Sequence, residues 1–246
     1  MNNVSKKCVS GARTAVAAAA FALLGAAGAE VVRIVNYDVD ETPASGFGCW
    51  NHAFSGTIVD TGRTVGGSVI CAGDGHVLNY RGGSGTLNDK VFDTTHLLLN
   101  RLDNSVPPKL LAPVIRLNLD ASYKVEQVRL LRGDNSFTTI DGLSVEIEGD
   151  SLGFAAQPIP GMDPLSVSVS LQGTALGGVP TRQVTLKNFT AVFFGQPIDQ
   201  FGIGEIEIVG TKVLSVPTQK EQCRNGGWKA YSFRNQGQCV SFVNHR

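Results

Sequence analysis

Leu165-Ser166-Val167-Ser168-Val169-Ser170-Leu171 alternates apolar and small polar side chains without a break. A period of two puts the leucines and valines on one face and the serines on the other, the mark of a strand buried on one side. The same pattern recurs along the chain. Ile115, Leu117 and Leu119 alternate with Arg116 and Asn118. Val145 and Ile147 alternate with Glu146 and Glu148, and Ile206 and Ile208 with Glu205 and Glu207. Residues 31–37, 76–80, 96–99, 125–131 and 183–194 are further strand candidates. No segment beyond residue 29 carries a convincing apolar repeat of 3.6 residues. The 29 glycines and 10 prolines fall largely between the runs, where turns need them. Many short strands with regular turns predict an all-β, antiparallel sandwich or barrel.

The two ends differ from this middle. Lys6, Lys7 and Arg13 precede an apolar run over residues 14–26, and Ala27-Gly28-Ala29 follows as an A-x-A cleavage site. That order reads as a secretory signal over residues 1–29. The apolar run of 13 residues is shorter than the roughly 20 that span a bilayer, so membrane insertion is not expected. Cleavage would leave 217 residues with 18 basic and 21 acidic side chains, a net charge of −3. A mildly acidic chain without a basic run speaks against nucleic acid, whose phosphates are bound through Lys and Arg.

Four cysteines follow the leader and allow three pairings. They fall into two sequence-local pairs, Cys49/Cys71 and Cys223/Cys239. Export would make disulfides the natural reading, each worth on the order of 3 kcal/mol. The close C-x-x-C spacing of a four-cysteine zinc site is absent. Near Lys212 the composition turns polar and aromatic. Residues 213–246 read as a disulfide-closed extension of a sandwich over 30–212, too poor in aliphatics to build a core alone.

Four stretches, in order, carry a family resemblance. They are Gly83-Ser84-Gly85-Thr86-Leu87-Asn88-Asp89 with Thr95-His96-Leu97; residues 114–119 followed by 123–130; Asp141-Gly142-Leu143-Ser144-Val145-Glu146-Ile147; and Gly204-Glu205-Ile206-Glu207-Ile208-Val209-Gly210. Together they resemble the galactose-binding-like β-sandwich of discoidin-type and related carbohydrate-binding modules, an antiparallel jelly roll. The second stretch is similar to the family's central strand pair. The resemblance implies a structural calcium ion held by the early acidic loop and the closing strand. By position its ligands are Asp89 and Glu205, with Asp93 and Thr95 able to add oxygens. Lys90 stands where the family usually has glycine, which disfavours the tight turn. The tail, Gln222-Cys223-Arg224-Asn225-Gly226-Gly227-Trp228 with Asn235-Gln236-Gly237-Gln238-Cys239-Val240, resembles a segment recurring at the ends of exported bacterial proteins. That implies an extracellular protein of bacterial origin.

A sugar needs an aromatic face for its C–H surface and a few polar groups for its hydroxyls. Trp50 and His52 beside Cys49, and His76, Tyr80 and Arg81 after Cys71, are the expected ligand-binding cluster, drawn together by a Cys49–Cys71 bridge. Catalysis is not expected. The acids are scattered rather than paired as a glycosidase needs. Gly82-Gly83-Ser84-Gly85 is no nucleophile elbow, and the four histidines lack zinc-protease spacing. Arg132-Gly133-Asp134 reads as a turn, and the glycosylation-type Asn188-Phe189-Thr190 lies in a strand pattern. The expectation is a secreted, non-catalytic module for carbohydrate or cell-surface glycan, the alternative being a structural or adhesion-type protein without a sugar pocket.

Overall fold

The computed structural model describes residues 28–43, 52–65, 75–91, 97–100, 103–109, 111–132, 138–198, 200–213, 216–231 and 233–245. Residues 1–27, Cys49, Trp50, Cys71, Asp93 and Thr95 lie outside the described residues.

Fourteen strands carry the described fold: β1 Glu30–Val31, β2 Ile34–Pro43, β3 Thr57–Val65, β4 Gly75–Gly83, β5 Leu97–Asn100, β6 Val114–Leu131, β7 Thr139–Ile147, β8 Asp150–Ala155, β9 Gln157–Pro158, β10 Val167–Ser170, β11 Pro180–Phe193, β12 Gln196–Ile198, β13 Gln200–Ile203 and β14 Glu205–Lys212. Every pairing among them is antiparallel. One run of neighbours is β3-β4-β2-β6-β11-β7-β8. A second is β1-β14-β6-β10-β9. The all-β antiparallel fold read from the alternation is therefore the fold observed.

The two runs share β6. Its residues 114–119 pair with β2 and β11, its residues 123–131 pair with β14 and β10, and β11 reaches across to Tyr123 and Lys124 as well. The sequence suggested two strands here; the structure has one strand of 18 residues. Neighbouring chain claims the residues that looked like a connection. Asp120 donates its N–H to the Arg33 carbonyl at 3.1 Å, and Ser122 accepts from the Val213 N–H at 2.8 Å. A backbone so engaged stays extended.

Inward side chains from both runs form one core. Val39, Ile115, Leu117, Val145 and Leu186 enter it from the first run, and Val125, Val128, Val167, Val169, Ile206 and Ile208 from the second. Each such side chain stabilises the fold by about 1.5–3 kcal/mol. The inward phase of β6 shifts from odd to even between Val125 and Val128, where a bulge sets Val209 opposite Gln127 but Gly210 opposite Val125.

Alternation missed β3 and β8, the two ends of the seven-strand path, and the short β9, β12 and β13. β3 and β8 are largely exposed, and an edge strand with little buried face leaves no period-two signature. Beyond β14, two 3-10 turns, Lys220–Cys223 and Gly227–Tyr231, are followed by helix α1, Gln236–Asn244. The sequence showed no helix here. α1 has no apolar stripe, because Cys239 is its one buried residue. The Cys223–Cys239 disulfide fastens α1 to the first turn. No helix among the described residues is long and apolar enough to cross a membrane.

Candidate functional site

Among the described residues, those expected to bind ligand do not form one groove. His52 and Tyr80 are core side chains, 5% and 0% exposed. Their rings meet edge-on at 4.5 Å, and Phe54 and Tyr37 complete the cluster at 5.0 and 5.3 Å centroid separations. One hydrogen bond of 2.8 Å joins Tyr37 Oη and His52 Nε2. Burial pushes His52 down to about 3, so it stays neutral, and raises the Tyr37 hydroxyl well above its usual range. The Phe54 ring lies against β4 because Gly83 has no side chain: a Cβ there would stand 2.4 Å from the Phe54 Cζ. The sequence signalled an aromatic-polar group correctly, but these residues turn inward and fill the sandwich.

The other two face outward in separate places. His76 Nδ1 sits 2.7 Å from Asp60 Oδ2 on the exposed β3–β4 pair. Arg81 hydrogen-bonds Asp40 across the β2–β4 pair, and Arg116 grips the other oxygen of Asp40 at 2.6 Å. Burial works against the Asp40 charge, yet the hydrogen bonds from Arg116 and Arg81 hold its carboxyl below the usual carboxylate range. Arg81 thus belongs to an ion-pair network on the sheet face.

Asp89 and Glu205 line one cleft of about 330 Å³ with Arg33, Asn88 and Lys90. Glu205 is 2% exposed. Burial is the main cause that lifts it to about 7, and the nearby Asp89 charge adds to the lift. Its Oε2 accepts the Lys90 N–H at 2.8 Å. Lys90 reaches that position with φ +63°, the left-handed backbone that glycine takes without strain. A buried carboxylate beside a second one suits a hard cation, but two carboxylates fall short of the six to eight oxygens calcium takes. Among the described residues no group of three or more His, Cys, Asp or Glu side chains could hold a metal.

A second cleft, of about 390 Å³, was not foreseen. The residue after β6 is Arg132, the start of β7 contributes Thr139, the approach to β10 Leu165, and the β11–β12 hairpin Phe193 and Phe194. Phe193 pairs with Gln196, so the hairpin turns on only Phe194 and Gly195. Both have positive φ, +48° and +76°. Such a turn favours Asn-Gly; a phenylalanine at its first position is strained. Phe194 is also 91% exposed, its ring 4.5 Å from that of Phe193. Arg132 reaches both oxygens of Asp163, at 3.4 and 3.3 Å, and Asp163 Oδ1 accepts the Leu165 N–H at 2.8 Å. An exposed aromatic ring thus lines the same cleft as a guanidinium that Asp163 holds in place. Residues 183–194 looked like an uninterrupted strand, so the signal missed was Phe-Phe-Gly as a turn.

No protein-family model matches the sequence, and no curated protein matches it. Solved structures resemble parts of it. A family 32 carbohydrate-binding module of a family 31 glycoside hydrolase from Clostridium perfringens is 10% identical over 51% of this chain and 81% of its own, with a TM-score of 0.36. A family 32 module from the same organism, in complex with galactose, is 12% identical over 50% of this chain and 82% of its own, with a TM-score of 0.33. The C-terminal domain of a chitobiase from Bacteroides fragilis is 17% identical over 70% of this chain and 99% of its own, with a TM-score of 0.35. Superpositions this partial carry no functional weight, and the ligand class has to come from this chain's own side chains.

Proposed function

We propose that this chain is a secreted, non-catalytic binding module of the galactose-binding-like type, and that it holds carbohydrate in the cleft beneath Phe194. The observation that carries the reading is Phe194 itself, 91% exposed on a strained turn over a cleft that also holds Arg132. Water disfavours an exposed ring, and the turn favours Asn, Asp or Gly over an aromatic residue. A pyranose relieves the first cost by stacking its C–H face on the ring. The Arg132–Asp163 pair offers donors and acceptors in fixed directions to the hydroxyls, the arrangement of a shallow apolar site with a few placed polar groups.

A glycan array tests this with the wild-type chain and Phe194→Ala. The expected result is selective glycan binding that weakens more than tenfold in the variant, since loss of a central aromatic contact costs about 2 kcal/mol. Equal binding by both proteins would sink the site. No glycan binding at all would favour a structural or adhesion role.

Calcium belongs to the same proposal. Asp89 and Glu205 would take it, with Asp93 and Thr95 able to add oxygens. Calorimetry on chelator-treated protein should show heat on adding calcium and a rise in melting temperature. A flat titration with an unchanged melting temperature rules the ion out. Secretion is tested by sequencing the N-terminus of the exported chain, which should begin at Glu30.

A further inference from the structure

The tail beyond β14 differs from the strands before it in charge. Residues 30–212 carry 13 basic and 20 acidic side chains, net −7; residues 213–246 carry five basic and one acidic, net +4. Lys220, Arg224, Lys229 and Arg234 are all exposed. None of them takes part in the ion pairs among the described residues, which all lie between Asp40 and Glu207. Four cations are therefore left facing solvent on a short segment.

The segment is built to hold that surface in place. Asn225 and Gly226 both adopt positive φ, +50° and +86°. Gly227 passes so close to the preceding turn that a Cβ would stand 2.1 Å from the Gln222 carbonyl oxygen. Asn235 caps α1 by accepting the Gln238 N–H at 2.9 Å, and the disulfide closes the unit. Yet this framework buries no aromatic ring. Trp228, Tyr231, Phe233 and Phe242 remain part-exposed, while both cysteines are fully buried. Lys229 Nζ stands 5.6 Å from the Trp228 ring centre. The unit spends its constraints on presenting rings and cations together rather than on a core.

We propose that residues 213–246 are a second binding unit, directed at an acidic polysaccharide and independent of the cleft at Phe194. Exposed guanidinium and ammonium groups meet carboxylates or sulfates, and part-exposed rings beside them meet the C–H faces of the sugars. An anionic lipid surface fits less well. A helix lying on lipid carries its cations along one flank and large apolar side chains along the other, and α1, Gln-Gly-Gln-Cys-Val-Ser-Phe-Val-Asn, has no charged residue. Duplex DNA carries a phosphate charge every ~1.7 Å along its axis but keeps its bases stacked inside, so it offers the part-exposed rings little to stack on.

Chromatography of the full chain on immobilised polygalacturonate tests the proposal. The wild type should be retained at low salt and released as ionic strength rises, because exposed charge contacts are screened. Combined Lys220→Gln, Arg224→Gln, Lys229→Gln and Arg234→Gln should pass unretained with an unchanged melting temperature. Trp228→Ala, which keeps every charge, should bind at least threefold more weakly. The proposal falls if the wild type is not retained, if the fourfold variant is retained equally, or if Trp228→Ala binds as the wild type does. It falls as well if anionic phosphatidylglycerol vesicles or duplex DNA bind the tail more tightly than polygalacturonate.

Discussion

Two groups of aromatic side chains occupy opposite situations in this molecule. Tyr37, His52, Phe54 and Tyr80 face inward, closed against β2 and β4. Phe193 and Phe194 stand at a hairpin tip, with Phe194 almost wholly in solvent. His52 and Tyr80 of the first group were expected to bind, and the second group to end a strand. The difference teaches that residue type near a cysteine loop says little about which way a ring points. Strain against local preference says more: only the second group sits where neither burial nor turn chemistry favours an aromatic residue.

The contrast can be broken or sharpened by experiment. The largest effect is expected inside. Tyr80→Ala should cost about 4 kcal/mol of stability, the usual cost of emptying a large buried site, seen as a lower denaturant midpoint. A loss below about 1 kcal/mol would mean that the inward cluster is not tightly packed.

The next effect is pH dependence, where two buried groups pull in opposite directions. His52 is depressed to about 3 in the fold, so its contribution is present above its ordinary value near 6.5 and is lost as pH falls. Glu205 is raised to about 7, so its contribution is present below about 4.5 and is lost as pH rises through 7. Between pH 4.5 and 6.5 the two largely offset, and chelator-treated wild type should be nearly flat. Glu205→Gln removes one side, and its stability should rise by about 3 kcal/mol across that window, at about 1.36 kcal/mol per pH unit. Urea melts at several pH values decide it: a variant as flat as the wild type would contradict the assignment.

On the outward side the effects are smaller and fall on different observables. Phe194→Ala should leave stability within about 0.5 kcal/mol, as surface substitutions generally do, while glycan binding weakens. Of similar size but definite sign, Phe194→Asn should raise stability by about 0.5 kcal/mol by suiting the turn, again with weaker binding. A residue whose replacement stabilises the fold and weakens binding is retained for the ligand. Loss of stability in Phe194→Asn would return the ring to a structural role.

The sequence was most legible where one face is buried. β7, β14 and the first half of β6 carry alternation because the core selects every second residue over most of their length; β10 alternates in sequence too, but Ser168 is buried along with Val167 and Val169, so its serine face is not a solvent face. The sequence was silent at β3 and β8, where exposure removes that selection, and misleading at residues 120–122, where partners distant in sequence keep the chain extended. At the sites, Asp89 and Glu205 were found by position and do line one cleft. His52 and Tyr80 were misplaced because alternation does not fix side-chain direction at a loop or beside the register shifts of the β2–β4 pair. Phe194 was missed because its apolar character fitted the strand before it.

The strand common to both runs bears on how the protein opens. β6 pairs with chain from Ile34 to Lys212, so neither face of the sandwich can detach while the other stays paired along it. Amide protons in both halves of β6 should then exchange with solvent only through global unfolding, as one cooperative unit. Its pairings also reach far along the chain, which places this protein among the slow folders, on the millisecond-to-second scale.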